Sequence, residues 1–110
     1  MDNHFFKIFD SQSFEELLKR SNERPVVILK HSTTCPISAA AYREMSSGTN
    51  EVGLIEVQSA RELSNEVERR TGVSHETPQV LVFRNGKVVW NASHWHITAD
   101  AVADAVRENE

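Results

Sequence analysis

The chain has 110 residues, 39% of them hydrophobic and 25% charged, with a formal net charge of −4 at pH 7. That balance excludes a disordered or fibrous chain, argues against a nucleic-acid partner, and leaves room for one domain, 1–110, around one core. No apolar run approaches the roughly 20 residues that span a bilayer, and Met1-Asp2-Asn3-His4 lacks the basic and apolar parts of an export signal, so a cytoplasmic protein with no membrane partner is expected.

Phe5 to Phe9 is a short aromatic and β-branched run that predicts a first strand. Ser13-Phe14-Glu15-Glu16 reads as a capping box opening a helix that ends near Asn22, with Phe14, Leu17 and Leu18 as its apolar stripe. The run Pro25-Val26-Val27-Ile28-Leu29 has no polar alternation, as a strand covered on both faces requires. After His31 to Thr34, Cys35-Pro36 starts a second helix, carried on by Ile37, Ala40, Ala41 and Met45 and stopped at Ser46-Ser47-Gly48. Val52 to Val57 gives a third strand. Ser59-Ala60-Arg61-Glu62 reads as a second capping box, for a helix with Leu63 and Val67 inside, Glu66 and Arg70 paired, and Gly72 at its end.

Val80 to Phe83 and Lys87 to Trp90 flank Asn85-Gly86, the pair suited to a tight hairpin because both central residues take positive φ. Thr98 then caps a last helix with Asp100 in its first turn and Val102 and Val106 on its inner face. The predicted order β-α-β-α-β-α-β-β-α implies an α/β fold, a mixed central sheet with helices on both faces.

One cysteine cannot form an internal disulfide, and its thiol suits a reducing compartment. A free cysteine is commonly a buried apolar filler. Cys35, however, follows a buried strand, is preceded by the polar Ser32-Thr33-Thr34 and opens a helix, where unpaired backbone N–H groups and the dipole favour thiolate over thiol. Ser38, one turn on, carries a hydroxyl able to hydrogen-bond that thiolate or merely its own backbone. Lys30, His31 and Arg43 read as solvated surface charge. His94 and His96 alternate to one face of an extended segment, Ser93 to His96, but two ligands without a companion acid or thiol do not make a metal site.

The order of elements and the pair Thr77-Pro78 before a strand resemble the thioredoxin-like fold, whose Thr-cis-Pro loop faces the active-site cysteine. Cys35-Pro36-Ile37-Ser38 departs from the dithiol enzymes in placing Ser38 where they carry a resolving cysteine. With Thr34 included, Thr34-Cys35-Pro36-Ile37-Ser38 is similar to the monothiol bacilliredoxin family. The resemblance implies a thiol-disulfide oxidoreductase that removes bacillithiol from bacillithiolated proteins through a mixed disulfide on Cys35. Bacillithiol, a thiol carrying carboxylates, would be co-substrate, with no tightly bound cofactor and no metal. Cys35 and Ser38 would be catalytic, and Thr34, Pro36, Thr77, Pro78, His94 and Trp95 would bind the small thiol, with Trp95 as a wall and His94 as a donor. Two other readings stay open. One is an iron-sulfur carrier like the monothiol glutaredoxins, whose Cys-Gly-Phe-Ser differs at Pro36-Ile37; the other is a binding module without catalysis. Nothing in the sequence sets the oligomeric state.

Overall fold

A computed structural model describes residues 4–48 and 50–110, so Met1-Asp2-Asn3, read above for an export signal, lie outside the described residues. The elements follow the expected order: β1 (Phe5–Lys7), α1 (Ser11–Arg20), β2 (Val26–His31), α2 (Pro36–Ser46), β3 (Val52–Glu56), α3 (Arg61–Thr71), β4 (Gln79–Arg84), β5 (Lys87–Ser93) and α4 (Ala99–Glu108). A short 3-10 turn, His94–His96, joins β5 to α4.

The sheet runs β1-β3-β2-β4-β5, with β2 in the middle. β1, β3 and β2 are parallel neighbours, whereas β4 and β5 are antiparallel to the strands they join. Parallel neighbours need helical crossovers, and these cover both faces of the sheet. Val27 and Leu29 of β2 pack with Ala41 and Met45 of α2 and Val102 and Val106 of α4. Val26 and Ile28 pack with Phe14 and Leu17 of α1 and Leu63 and Val67 of α3. Successive β2 residues thus enter two different cores, which is why the run shows no alternation.

Two cap assignments differ from expectation. Asp10, not Ser13, is the N-cap of α1: its carboxylate accepts from the Ser13 amide at 2.9 Å, and Ser13 Oγ accepts from the Asp10 amide at 3.2 Å. The reciprocal pairing of a capping box is present, one turn earlier, with serine in the third helical position. At α3 the N-cap is Ala60 and no side chain caps it. Burial of Ala60 in the core turns the preceding Ser59 hydroxyl away, to donate to Glu56 O at 3.4 Å.

Other local signals hold. Gly72 ends α3 at φ 73°, and the hairpin turn has Asn85 at φ 56° and Gly86 at φ 77°. Arg70 pairs with Glu66 and also with Glu15 of α1. Thr98 Oγ1 accepts from the Ala101 amide at 3.1 Å. Strands β4 and β5 are longer than the sequence suggests and slip by one residue: Val82 lies opposite Trp90 but Phe83 opposite Val88, so Val89 is an extra, exposed residue in β5.

Candidate active site

β2 ends at His31, and four residues later Pro36 opens α2. Cys35 is the N-cap of that helix, extended at φ −101° and ψ 123°, and its carbonyl accepts from the Ala39 amide at 3.0 Å. Pro36 occupies the start of the helix, where a missing N–H leaves no bond unmade. The half-buried thiol makes no capping hydrogen bond. A thiolate is a far better acceptor, and the donors are in place for it. The Ser38 amide foremost, with the Ile37 amide and the Ser38 hydroxyl, holds the Cys35 pKa below the ordinary thiol value against an opposing push from burial.

Ser38 is wholly buried, and its Oγ accepts from the Ser32 amide at 3.3 Å. One hydroxyl therefore ties the loop before Cys35 to the first turn of the helix after it. Gln58, in the turn after β3, braces the same loop from the other side. Its Nε2 donates to Ser32 Oγ at 2.8 Å and Thr34 Oγ1 at 3.2 Å, and its Oε1 accepts from the Thr33 amide at 3.3 Å. Nothing local in the sequence marks Gln58, because its partners lie about 25 positions away.

The antiparallel register of β2 and β4 sets Gln79 opposite Lys30. Pro78, one residue earlier, thus falls level with His31, at the end of the sheet from which the Cys35 loop leaves. The Thr77-Pro78 peptide is cis. Pro78 is buried, and its carbonyl accepts from the His94 amide at 3.0 Å, which fastens the segment after β5 to this loop.

That segment is not the extended stretch expected from sequence. It is a 3-10 turn with His94 at φ 55°, so His94 and His96 do not alternate to one face. The bond from His94 N–H to Pro78 fixes the turn's start and overrides extension. His94 Nε2 lies 3.4 Å from Glu76 Oε1, an exposed pair. Trp95 is 69% exposed and lines a shallow groove with Ala40, Arg43 and Glu44 of α2, one to two turns beyond Cys35.

Two of the three charged residues assigned to solvent are not there. Lys30 is wholly buried, while His31 is half-buried, its buried Nδ1 without a hydrogen-bond partner among the described residues. Burial lowers the pKa of both, and a nearby glutamate opposes it in each case, Glu68 for Lys30 and Glu56 for His31. The reason is position: both belong to the central strand, whose cover continues to its last residue. Arg43 is exposed as expected.

A helix-start thiol with lowered pKa, open to one side and lacking a second sulfur, can exchange with a disulfide but cannot resolve the adduct internally. The comparisons agree with that chemistry. A solved structure of a proposed oxidoreductase with a thioredoxin fold is 34% identical, with 94% of each chain covered and a TM-score of 0.87. Oxidised mitochondrial thioredoxin 3 from Saccharomyces cerevisiae matches at 13% identity over 96% of both chains, TM-score 0.72. Thioredoxin from Trypanosoma brucei brucei matches at 12% identity over 94% of this chain and 88% of its own, TM-score 0.74. At such identities the two thioredoxins establish the fold alone. The family model described as Monothiol bacilliredoxin BrxC matches residues 6–102. With nearly the whole chain matched, a thioredoxin fold and Cys35 at its helix start, this protein belongs to the monothiol bacilliredoxin family.

Proposed function

We propose that the chain removes bacillithiol from S-bacillithiolated proteins, acting as one cytoplasmic domain with no tightly bound cofactor. The observation that carries this reading is the Cys35 turn: donors from Ser38 and Ile37 favour the thiolate, and the residue one turn along is a buried serine rather than a second sulfur. The family supplies the identity of the small thiol.

In the first step the Cys35 thiolate attacks the bacillithiol sulfur of a mixed disulfide. A Cys35–bacillithiol bond forms, the old S–S bond breaks, and the target leaves as a reduced thiolate. In the second step a free bacillithiol thiolate attacks that adduct, giving bacillithiol disulfide and restoring the Cys35 thiolate. Each unit of pKa lowering costs nucleophilicity roughly threefold at a Brønsted slope of about 0.45, offsetting much of the gain in thiolate fraction. The lowered pKa therefore serves chiefly the second step, where Cys35 is the leaving group, and positioning serves the first.

The Thr77 main chain would align the disulfide, with Thr34, Pro36 and Pro78 around it. Trp95 would form a wall along the α2 groove. His94 would donate to a bacillithiol carboxylate by exchanging its Glu76 contact. Intact mass spectrometry after mixing the protein with a bacillithiolated substrate is expected to show one bacillithiol on Cys35. No adduct, with the substrate left unreduced, would refute the assignment.

A further inference from the structure

Burying an ammonium is costly unless it is well partnered. Lys30 is wholly buried on the α1/α3 side of β2, beyond Ile28, and no carboxylate lies within ion-pair distance of it among the described residues. Its Nζ lies 3.4 Å from Ser64 O of α3 and 3.2 Å from His75 Nδ1. An ammonium has donors only, so the imidazole must present a bare Nδ1 to it. Ser64 Oγ, 3.1 Å from the same nitrogen, is a second donor to it.

With Nδ1 bare, the proton of the neutral ring sits on Nε2, which lies 3.0 Å from Thr77 Oγ1 and donates to it. The His75 backbone is fixed in turn, its amide donating to Glu68 Oε2 at 3.0 Å. On the other flank Gln79 Nε2 donates to Ser74 O at 2.9 Å. A chain of hydrogen bonds thus runs from the centre of the sheet to the residue before Pro78, and none of these bonds involves Cys35.

We propose that Lys30 and His75 are positioning residues for thiol exchange: the buried lysine selects the His75 tautomer that donates to Thr77, and so holds the loop against which the disulfide is aligned. The inference rests on the proposed exchange at Cys35. His75 is exposed overall, but the desolvation of its inner edge first, and then the Lys30 charge, lower its pKa and so favour the neutral ring. Glu68 and Glu76 oppose that shift, and Arg61 adds to it.

The test pairs nitrogen NMR of the imidazole with exchange kinetics, on the full chain. In the wild type His75 is expected to carry its proton on Nε2 and to stay neutral below the ordinary histidine pKa. In Lys30→Met the proton shifts toward Nδ1, facing Ser64 Oγ, and the ring titrates at higher pH. His75→Ala should slow the reaction of Cys35 with a bacillithiol mixed disulfide about tenfold, as a misplaced reaction partner does. His75→Gln, which keeps a donor toward Thr77, should restore most of that rate. The Cys35 pKa, read by thiolate absorbance, should be unmoved in every variant, which separates positioning from thiol activation. A wild-type His75 protonated on Nδ1 would overturn the proposal whatever the variants do. So would wild-type exchange rates in both Lys30→Met and His75→Ala. Activity surviving Cys35→Ala would instead overturn the exchange reading itself, and leave the tautomer result standing.

Discussion

Cys35 and Lys30 are five residues apart in the chain, yet they are held by opposite means. The sulfur is served from within its own turn, by the amides and hydroxyl of residues two and three positions on. The amine is served from across the fold, by Ser64 and His75, 34 and 45 positions away. Cys35 keeps an open side, whereas Lys30 has none. A group whose environment is local can be read from a short motif; one whose environment is assembled by topology cannot.

The strongest way to break the contrast is Cys35→Ala. It should abolish thiol exchange while circular dichroism and melting stay close to wild type, because the side chain sits at a helix start and outside both cores. Retained exchange would remove Cys35 from the mechanism.

Lys30 tests the other side. Lys30→Ala should cost about 2–5 kcal/mol in chemical denaturation, since it leaves a cavity at a wholly buried position. Lys30→Met, filling the space without a charge, should be near neutral or stabilising. Its advantage must depend on pH. The Lys30 pKa is lowered in the fold, so the unfolded chain binds more protons between that lowered value and the ordinary one near 10.5, and wild-type stability rises with pH across the interval. The gain from methionine is therefore greatest below the lowered value and shrinks as pH rises. A gain that grew with pH would contradict the burial.

Ser38→Ala probes how local the Cys35 environment is. Losing the hydroxyl but keeping both amides should raise the thiol pKa only slightly, because the hydroxyl is the weakest of the hydrogen bonds that lower it. Thiolate absorbance across pH measures it, and the exchange rate should rise with pH through that ionisation and then level off. A shift as large as removing the helix start altogether would mean that the hydroxyl, not the amides, governs the sulfur.

Trp95 and His94 should give the smallest effects. Their alanine variants are expected to slow exchange with bacillithiol mixed disulfides several-fold, as for single partly exposed contacts, and exchange with a small uncharged disulfide less. Equal losses with both would place the carboxylate contact elsewhere.

The same division governs what was legible beforehand. The elements along the chain, the Gly72 end, the Asn85-Gly86 turn, the Thr98 cap and the Cys35-Pro36 helix start all rest on neighbours within a turn or two, and all are readable, whereas the order of the strands within the sheet is not. The α1 cap was displaced by one turn because Asp10 and Ser13 can fill the two capping roles in either order. Lys30 and His31 were misread because residue type favours solvent, while their cover comes from α2 and α3. Ser93 to His96 was misread as extended because the contact that bends it, His94 to Pro78, joins the ends of two different strands. Gln58 and His75 had no signal at all short of the folded chain.

The extra residue at Val89 has a consequence for life at high concentration. β5 is an outer strand, and an outer strand of regular ladder offers its free N–H and C=O groups to any other chain with an unpaired edge. The slip at Val82/Phe83 breaks that regularity in the middle of β5 and adds local twist, and the opposite edge, β1, is only three residues long. Neither border of the sheet presents a long flat template. Deleting Val89 would bring Val88 next to Trp90 in one regular ladder, with each still facing its own core, so the shortened chain should keep its pairing but gain a straighter, stickier border, visible as turbidity on mild heating.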